Sequence, residues 1–441
     1  LPWSMCPTMA TTGGRAPAMC FSSAILFSDG DQYTEDMRFW KKKRMAFLKR
    51  VYADAAAATP LSPRARRELV RLLPLYGNAG ALHREALEAK KEIDKARAMI
   101  AETIGAHADE IIFTASGTEA NNLGVQGVLR PLLQKHKNLH AITSSIEHPS
   151  VLEPLRALER EGLSVVYLPV DREGLVGQKN LRGAITDKTV FVSLQLVNSE
   201  IGTIEPIREV SKILKKSNKK IYFHTDASQA PLWLPLSVEK LGIDLMTLDG
   251  QKIMGPKGVG VLYVRRGVSI EPIFWGGAQE RGLRAGTENV PLAGAFALAL
   301  TDAQKNVEDT VEKISAVRDY LWSEIKKFLP DAVLHGPFDY AQGKPSGDTR
   351  VANNLNISIP GLSGDMAVIA LDAEGIAAST RSACNTGDET PSHVIQALGV
   401  SPEIAKTAIR ITLLPDATHA QARRIAKTLA GIAKRYRNMV Q

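Results

Sequence analysis

The sequence predicts an α/β protein with a mostly parallel, seven-stranded sheet domain and a smaller α+β domain at its C-terminal end. Three observations predict it. Between residues 111 and 264, short apolar runs alternate with amphipathic helical segments, as in sheets that helices cover on both faces. The Gly- and Pro-rich residues 336–350 then precede a different set of elements. The length of 441 residues exceeds that of one ordinary domain.

The first elements are helices with recognisable ends. Ser62 and Pro63 form a helix start, because a hydroxyl cap precedes a proline at the first helical position. A second helix covers residues 84–104, and Gly105 ends it. Helices at 154–161 and 207–216 fall between strands. The predicted strands cover residues 111–114, 141–144, 165–170, 190–197, 221–226, 244–248 and 261–264.

The C-terminal part begins with a long helix, from Gly294 to about Phe328. Strands are predicted at 354–359 and 377–380, and helices at 365–372, 392–398, 403–408 and 420–436. We therefore predict four parts: a disordered leader (1–44), a segment that packs with the small domain (45–64), a large domain (65–310) and a small domain (311–441).

The charge distribution argues against a nucleic-acid partner. The chain has 55 Lys and Arg against 47 Asp and Glu, a net charge of +8. Half of this excess lies in residues 1–50, which include the basic run 41–44. That run could contact nucleic acid or a membrane surface, but a solvated leader explains it more simply. No apolar stretch is long enough to span a membrane, and residues 16–27 lack the basic lead of a signal peptide. We expect a cytoplasmic protein.

The three cysteines, Cys6, Cys20 and Cys384, exclude two classes of protein. They cannot form a disulfide framework, and no pair has metal-ligand spacing. We predict no metal site, since His136 and His140 lack a third ligand. The dinucleotide and nucleoside-triphosphate glycine motifs are also absent. A cysteine alone in the folded part of the chain, such as Cys384, is a candidate reactive thiol.

Polar residues follow several predicted strands, where an α/β sheet presents its ligands. Gly117 and Thr118 lie where a strand leads into a helix start, which suits a phosphate. Asp226 ends one strand, and Lys252 follows another beside a Gly-Pro-Lys-Gly turn. An Asp and a Lys facing one pocket are what pyridoxal 5′-phosphate (PLP) needs: the amine binds the aldehyde and the carboxylate holds the pyridine nitrogen protonated.

These residues lie in motifs that resemble the PLP-dependent cysteine desulfurases of the NifS/IscS type, within the class V aminotransferases. The resemblance covers about residues 51 to 436. The motifs stand at 53–60 (ADAAAATP), 76–78 (YGN), 116–122 (SGTEANN), 147–151 (EHPSV), 197–202 (VNSEIG), 225–229 (TDASQ), 251–252 (QK), 279–289 (QERGLRAGTEN), 382–384 (SAC) and 409–410 (IR). The resemblance implies the PLP-dependent transferase fold of type I.

The resemblance also implies roles. Lys252 would bind the cofactor's aldehyde, Asp226 its pyridine nitrogen, and Gly117 and Thr118 its phosphate. His148 would stack on the ring and move protons near the substrate. The remaining implied contacts are Gln229 and Asn198 to the ring's phenolic oxygen, Asn198 and Arg410 to the substrate, Gln251 to the phosphate, and Thr287 to the phosphate of the other subunit in a homodimer.

Cys384 would be the nucleophile that takes sulfur from L-cysteine as a persulfide, with L-alanine as product. Its polar surroundings, 385–390, are typical of an exposed loop and match the longer-loop subgroup. The sulfur would pass to an acceptor, such as an iron–sulfur scaffold or a tRNA-thiolation enzyme. A selenocysteine lyase and an aminotransferase on the same scaffold are the nearest alternatives, and a non-catalytic basic scaffold protein is a more distant one.

The chain departs from the family pattern just before Lys252. The family usually has Ser-x-His there, whereas this chain has Asp249-Gly250-Gln251. The amide of Gln251 can still donate a hydrogen bond to a phosphate. Asp249, however, puts a carboxylate where a hydroxyl is expected, and two like charges in close contact are costly. We therefore expect either that Asp249 turns away or that another donor lies between it and the phosphate.

Overall fold

The computed structural model describes residues 50–217, 219–339, 344–345, 349–380 and 391–440. The predicted leader and Cys384 lie outside these residues. Within them the strands are β1 (Val51–Tyr52), β2 (Ile111–Thr114), β3 (His140–Ser144), β4 (Ser164–Leu168), β5 (Thr189–Ser193), β6 (Tyr222–Asp226), β7 (Leu245–Asp249), β8 (Gly260–Val264), β9 (Val333–His335), β10 (Phe338–Asp339), β11 (Lys344–Pro345), β12 (Asn354–Ser358), β13 (Ile376–Ala377) and β14 (Ala408–Thr412).

A seven-stranded sheet, ordered β2-β8-β7-β6-β5-β3-β4, confirms the predicted α/β fold. Strands β4, β3, β5, β6 and β7 run parallel, and β8 is antiparallel to both β7 and β2. Every residue of β2, β3, β7 and β8 is buried. This burial explains their nearly continuous apolar sequences, because helices cover both faces of such a sheet.

The helices of the described residues alternate with these strands as predicted. Among them, no helix is both long and apolar enough to cross a membrane. The helices are Pro63–Leu72, Arg84–Ile104, Gly117–Lys135, Pro149–Arg160, Gln178–Ala184, Ile207–Lys216, Val238–Leu241, Val290–Lys305, Val307–Phe328, Gly364–Ala373, His393–Ala397, Pro402–Ala405 and His419–Val440.

The C-terminal part contains a three-stranded antiparallel sheet, ordered β14-β12-β9. Strand β1, near the N-terminal end of the described chain, pairs with β13 through Val51 with Ile376 and Tyr52 with Ala377. The beginning of the described chain therefore lies against the C-terminal part, and the chain enters the large sheet only afterwards. This pairing agrees with a segment 45–64 that packs with the small domain, although the domain boundaries themselves stay predictions.

Two predicted elements were wrong. The long helix from Gly294 to Phe328 is two helices, which meet at Asn306 with φ −115° and ψ 15°. The side-chain amide of Asn306 donates to the carbonyl oxygen of Asp302. Asn side chains favour such bonds to the backbone, which compete with regular helical hydrogen bonding. The predicted helix 403–408 ends at Ala405, and Ala408 begins β14 instead. Pairing with β12 decides that conformation, and it places Arg410 on a buried strand.

Candidate functional site

A cavity of about 220 Å³ lies beyond the carboxyl ends of the parallel strands. It brings together most of the residues that the sequence singled out, although these lie up to about 300 positions apart in the chain. Eight of them line it: Gly117, Thr118, His148, Asp226, Gln229, Gln251, Lys252 and Arg410.

The carboxylate of Asp226, at the end of β6, is held from two sides. Its Oδ1 accepts from the amide of Ser228 at 2.9 Å, and its Oδ2 accepts from Asn121 Nδ2 at 2.7 Å. The same Asn121 Nδ2 donates to Ser150 Oγ at 2.8 Å. Asn121 therefore fixes the carboxylate in the cavity and connects it to the residues around His148.

His148 caps the Pro149–Arg160 helix with its ring. Its Nδ1 accepts from the amide of Ser150 at 3.1 Å and lies 2.7 Å from Ser150 Oγ. Because Nδ1 accepts, the neutral ring carries its proton on Nε2. Burial lowers the pKa of His148, and the nearby charge of Lys252 lowers it further, while Asp226 opposes both. The lowered pKa favours the neutral form of the ring, which can accept a proton.

Lys252 lies in the turn after β7, and the segment that follows β1 closes over it. Its Nζ donates to the carbonyl oxygens of Ala56 and Ala57 at 2.8 and 2.6 Å. Gln229 Nε2 donates to the same Ala56 oxygen at 2.9 Å. These backbone acceptors hold the amine at one place in the cavity before any ligand binds.

Arg410 projects from β14 and is 1% exposed. Its Nη2 donates to Asp54 Oδ1 at 2.9 Å, and its Nη1 donates to the carbonyl of Ser199 at 3.3 Å. Its Nε is buried and has no hydrogen-bond partner among the described residues. A buried N–H of a guanidinium without an acceptor is costly, so this edge of Arg410 suits an anionic ligand such as a carboxylate.

Asp249 does not turn away from the cavity, contrary to one of the two expectations. It is 7% exposed and lines the cavity beside Gly117. The second expectation, a donor between Asp249 and the phosphate, stays a prediction, but two donors of Gln251 do contact this carboxylate. The backbone N–H of Gln251 donates to Asp249 Oδ1 at 3.2 Å, and Gln251 Nε2 donates to Oδ2 at 3.1 Å. Burial raises the pKa of Asp249, with Gln251 and Lys252 opposing this increase.

Two predicted contacts lie elsewhere in the described chain. The Asn198 side chain is committed to its own turn: Nδ2 donates to the Ile146 carbonyl, and Oδ1 accepts from the amides of Glu200 and Ile201. Thr287 is exposed and does not line the cavity. The implied contact of Thr287 is with the cofactor of another subunit.

Sequence reasoning missed the linking role of Asn121 and Ser150 and the carbonyl groups of Ala56 and Ala57. A signal for Asn121 existed. It lies four positions after Gly117 and three before Gly124, on the buried face of the Gly117–Lys135 helix. An amide on such a face requires polar partners. The carbonyl contacts had no sequence signal, because any residue provides a carbonyl.

The residues of the cavity fit PLP. A Cβ at Gly117 would lie 3.1 Å from Ser228 Oγ and 3.2 Å from Asp249 Oδ2, so only glycine leaves this part of the cavity open. As the first two helical residues after the cap Ser116, Gly117 and Thr118 have amides without intrahelical acceptors. Together with Lys252 and Asp226, these groups match the phosphate, aldehyde and pyridine nitrogen of the cofactor.

Comparisons with known proteins agree with this geometry. The family model for class-V aminotransferases matches residues 51–425. A cysteine desulfurase IscS of Dictyoglomus turgidum is 42% identical, with 82% of this chain and 89% of that protein covered. One from Methanosarcina thermophila is 40% identical, with 89% and 94% covered. A solved structure entitled NIFS-LIKE PROTEIN is 34% identical, with a TM-score of 0.80 and 87% and 99% of the two chains covered.

The matched region includes every lining residue named above, from Ala56 to Arg410. These two relatives, at 40% and 34% identity, match at least 87% of this chain and at least 94% of their own length. The chain therefore belongs to the class-V aminotransferase family, within its group of PLP-dependent cysteine desulfurases of the NifS/IscS type.

Proposed function

We propose that this chain converts L-cysteine to L-alanine and receives the sulfur on Cys384 as a persulfide. The observation that carries the proposal is the meeting of Lys252, Asp226 and Arg410 in one cavity. An amine, a carboxylate and a guanidinium together can bind the aldehyde and pyridine nitrogen of PLP and the carboxylate of an amino acid. Cysteine, rather than selenocysteine, is the proposed substrate.

Residues that flank the segment 381–390 support a role for Cys384 at this cavity. Before it, Ser379 exchanges two backbone hydrogen bonds with Arg410. After it, Ser392 Oγ donates to Glu200 Oε2 at 2.5 Å, and His393 Nε2 lies 3.3 Å from the carbonyl of Glu147. The described residues on one side of this segment therefore lie beside Arg410, and those on the other side lie beside Glu147, which precedes His148. Cys384 itself lies outside the described residues.

The proposed chemistry divides among the protein's own groups. PLP, when bound, supplies a ring that stabilises negative charge at the substrate's Cα. Lys252 Nζ removes the proton from Cα, and the neutral ring of His148 accepts protons near the substrate. Arg410 holds the substrate carboxylate. Gln229, which lines the cavity, is the proposed contact to the cofactor's phenolic oxygen, and Gln251 is proposed to donate to its phosphate.

Cys384 acts as the nucleophile. Its thiolate attacks the substrate's sulfur, and the new S–S bond forms as the Cβ–S bond breaks. The bonding pair stays with Cβ, which takes up a proton. Cα regains the proton that Lys252 removed, and alanine leaves. One cysteine and one thiol thus give one alanine and one persulfide, with no external oxidant or reductant.

The test measures alanine and sulfide after incubation with L-cysteine in the absence of a keto acid. Cys384→Ala is expected to abolish alanine formation from cysteine, whereas Cys20→Ala, the matched control outside the family resemblance, keeps it. Equal activities of the two variants would contradict the role of Cys384. Alanine formation that requires an added keto acid would indicate an aminotransferase instead.

A second arm of the same test concerns the cofactor. Lys252→Ala is expected to lose the yellow colour of the purified protein and its sensitivity to borohydride. The selenocysteine lyase alternative predicts release of alanine from selenocysteine but not from cysteine. A non-catalytic scaffold predicts no alanine from either amino acid and no colour.

The proposed partners are an acceptor protein for the sulfur, such as an iron–sulfur scaffold or a tRNA-thiolation enzyme, and a second copy of this chain. Tyr76, Leu82 and Trp275 are at least 82% exposed, and a second subunit that covers them would remove their apolar surface from water. In that dimer Thr287 is proposed to reach the partner's phosphate. A cytoplasmic location is proposed with it, because a reactive thiol persists in a reducing compartment.

A further inference from the structure

Asp249 places a carboxyl group against a helix start that suits an anion. It ends β7, and a Cβ at Gly117, the first residue of the Gly117–Lys135 helix, would lie 3.0 Å from Asp249 Cβ. Asp249, Gly117 and Thr118 all line the cavity. A phosphate that accepts from the amides of Gly117 and Thr118 therefore comes within reach of the Asp249 carboxyl group.

Three ionisable side chains face Asp249, each from a different part of the fold. Lys252 lies in the turn that follows it, Asp226 ends the neighbouring strand β6, and His148 begins the Pro149–Arg160 helix. The positive charge of Lys252 lowers the pKa of Asp249, and the negative charge of Asp226 raises it. Lys252 in turn is the residue that binds the aldehyde. A phosphate adds up to two negative charges to this surrounding.

An ionised Asp249 beside a phosphate would be repelled, whereas a protonated one offers a hydrogen bond. Burial already raises the pKa of Asp249 in the absence of any phosphate, and the negative charge of a phosphate acts in the same direction. The two donors from Gln251 are not an obstacle, because a carboxylic acid keeps acceptor lone pairs on both oxygens when one oxygen carries a proton.

We propose that Asp249 is protonated whenever PLP is bound and donates its O–H to an oxygen of the cofactor's phosphate. Above the pH at which Asp249 ionises in the free protein, binding of PLP takes one proton from solvent. The chain thus holds the phosphate in part with a carboxylic acid, and its affinity for the cofactor falls as the pH rises. This inference rests on PLP binding alone, not on the proposed role of Cys384.

The test compares the full-length wild type with Asp249→Asn, both stripped of cofactor and titrated with PLP across a pH series. The Asn amide donates at every pH and adds no charge. We expect the ratio of the wild-type Kd to the Asn Kd to rise by up to about tenfold per pH unit above the pH at which Asp249 ionises. Pyridoxal, which lacks the phosphate, serves as the control ligand and should give a ratio independent of pH.

A ratio for PLP that stays constant across the series would overturn the proposal. So would an equal pH dependence of the ratio with pyridoxal, since the effect would then not involve the phosphate. Asp249→Ser, also a neutral donor, repeats the comparison if the Asn variant does not fold.

Calorimetry in two buffers of different ionisation enthalpy measures the proton directly. At an alkaline pH the wild type is expected to take up one proton more with PLP than with pyridoxal, and the neutral variants are expected not to. Equal uptake by the wild type and the variants would place the proton on the phosphate and refute the role of Asp249. Equal uptake by the wild type with the two ligands would refute it even if neither variant folds.

Discussion

Replacing Arg410 by lysine isolates the contact to the substrate carboxylate. In the structure Arg410 Nη2 is engaged with Asp54 and Nη1 with the carbonyl of Ser199. The remaining donors on one edge are Nε–H and the second N–H of Nη2, which can bind a carboxylate with two parallel hydrogen bonds. Arg410→Lys keeps the positive charge but removes this planar pair of donors.

The expected magnitude follows from the loss of one of the two bonds. A hydrogen bond between charged groups contributes about 1.5–3 kcal/mol, which corresponds to a rise in KM for cysteine of roughly 10- to 150-fold. The kcat is expected to change little, because the carboxylate is bound in the same way in the ground state and the transition state. Alanine formation at a range of cysteine concentrations measures both constants.

Cysteamine provides the control for this prediction, since it keeps the amine and thiol of cysteine but lacks the carboxylate. Its inhibition constant against cysteine turnover is expected to be the same in the wild type and in Arg410→Lys. A thermal unfolding curve establishes that the variant is folded. An equal loss of affinity for cysteine and cysteamine would refute the assignment of Arg410 to the carboxylate, and so would an unchanged KM.

Two predictions concern stability. Glu280 forms a buried, bidentate ion pair with Arg97 at 2.7 and 2.8 Å and also accepts from the amide of Phe113. Glu280→Gln leaves the guanidinium without its charge partner and is expected to lower the free energy of unfolding by about 3 kcal/mol. The control is Glu88→Gln, which breaks an exposed ion pair with Arg84 and is expected to cost less than about 1 kcal/mol. Equal denaturant midpoints of the two variants would contradict this prediction. Glu147 is fully buried, and burial raises its pKa to about 8. Over this range of pH the folded chain keeps a proton that the unfolded chain releases. The free energy of unfolding of the wild type should therefore fall relative to that of Glu147→Gln as the pH rises from about 5 to 8. Parallel pH profiles of the two proteins would contradict this prediction.

Much of the candidate site could be predicted because parallel strands present their carboxyl ends at one edge. Asp226 and Lys252 follow buried apolar runs, and that position alone places them together. Arg410 is different, since neither spacing nor composition connects it to Asp226 and Lys252, which lie 184 and 158 positions earlier. It was found through a motif, and its strand β14 begins at Ala408, which the sequence had predicted as the end of a helix.

The parts that could not be predicted depend on tertiary contacts. The acceptors for Lys252 Nζ are backbone carbonyls of Ala56 and Ala57, and such groups occur at every position of a chain. The orientation of Asp249 depends on which way the side chain of Gln251 turns, and a sequence does not fix that. The helix break at Asn306 also could not be predicted from local helix propensity, because apolar residues continue on both sides of it.

The mass of the peptide that contains Cys384 shows whether Cys384 receives sulfur from L-cysteine. After a brief incubation of the PLP-loaded protein with L-cysteine, without reductant, we expect this peptide to gain the mass of one sulfur atom. We also expect one alanine per modified thiol and no gain on the peptide with Cys20. Alanine release while the Cys384 peptide keeps its original mass would refute the transfer of sulfur to Cys384.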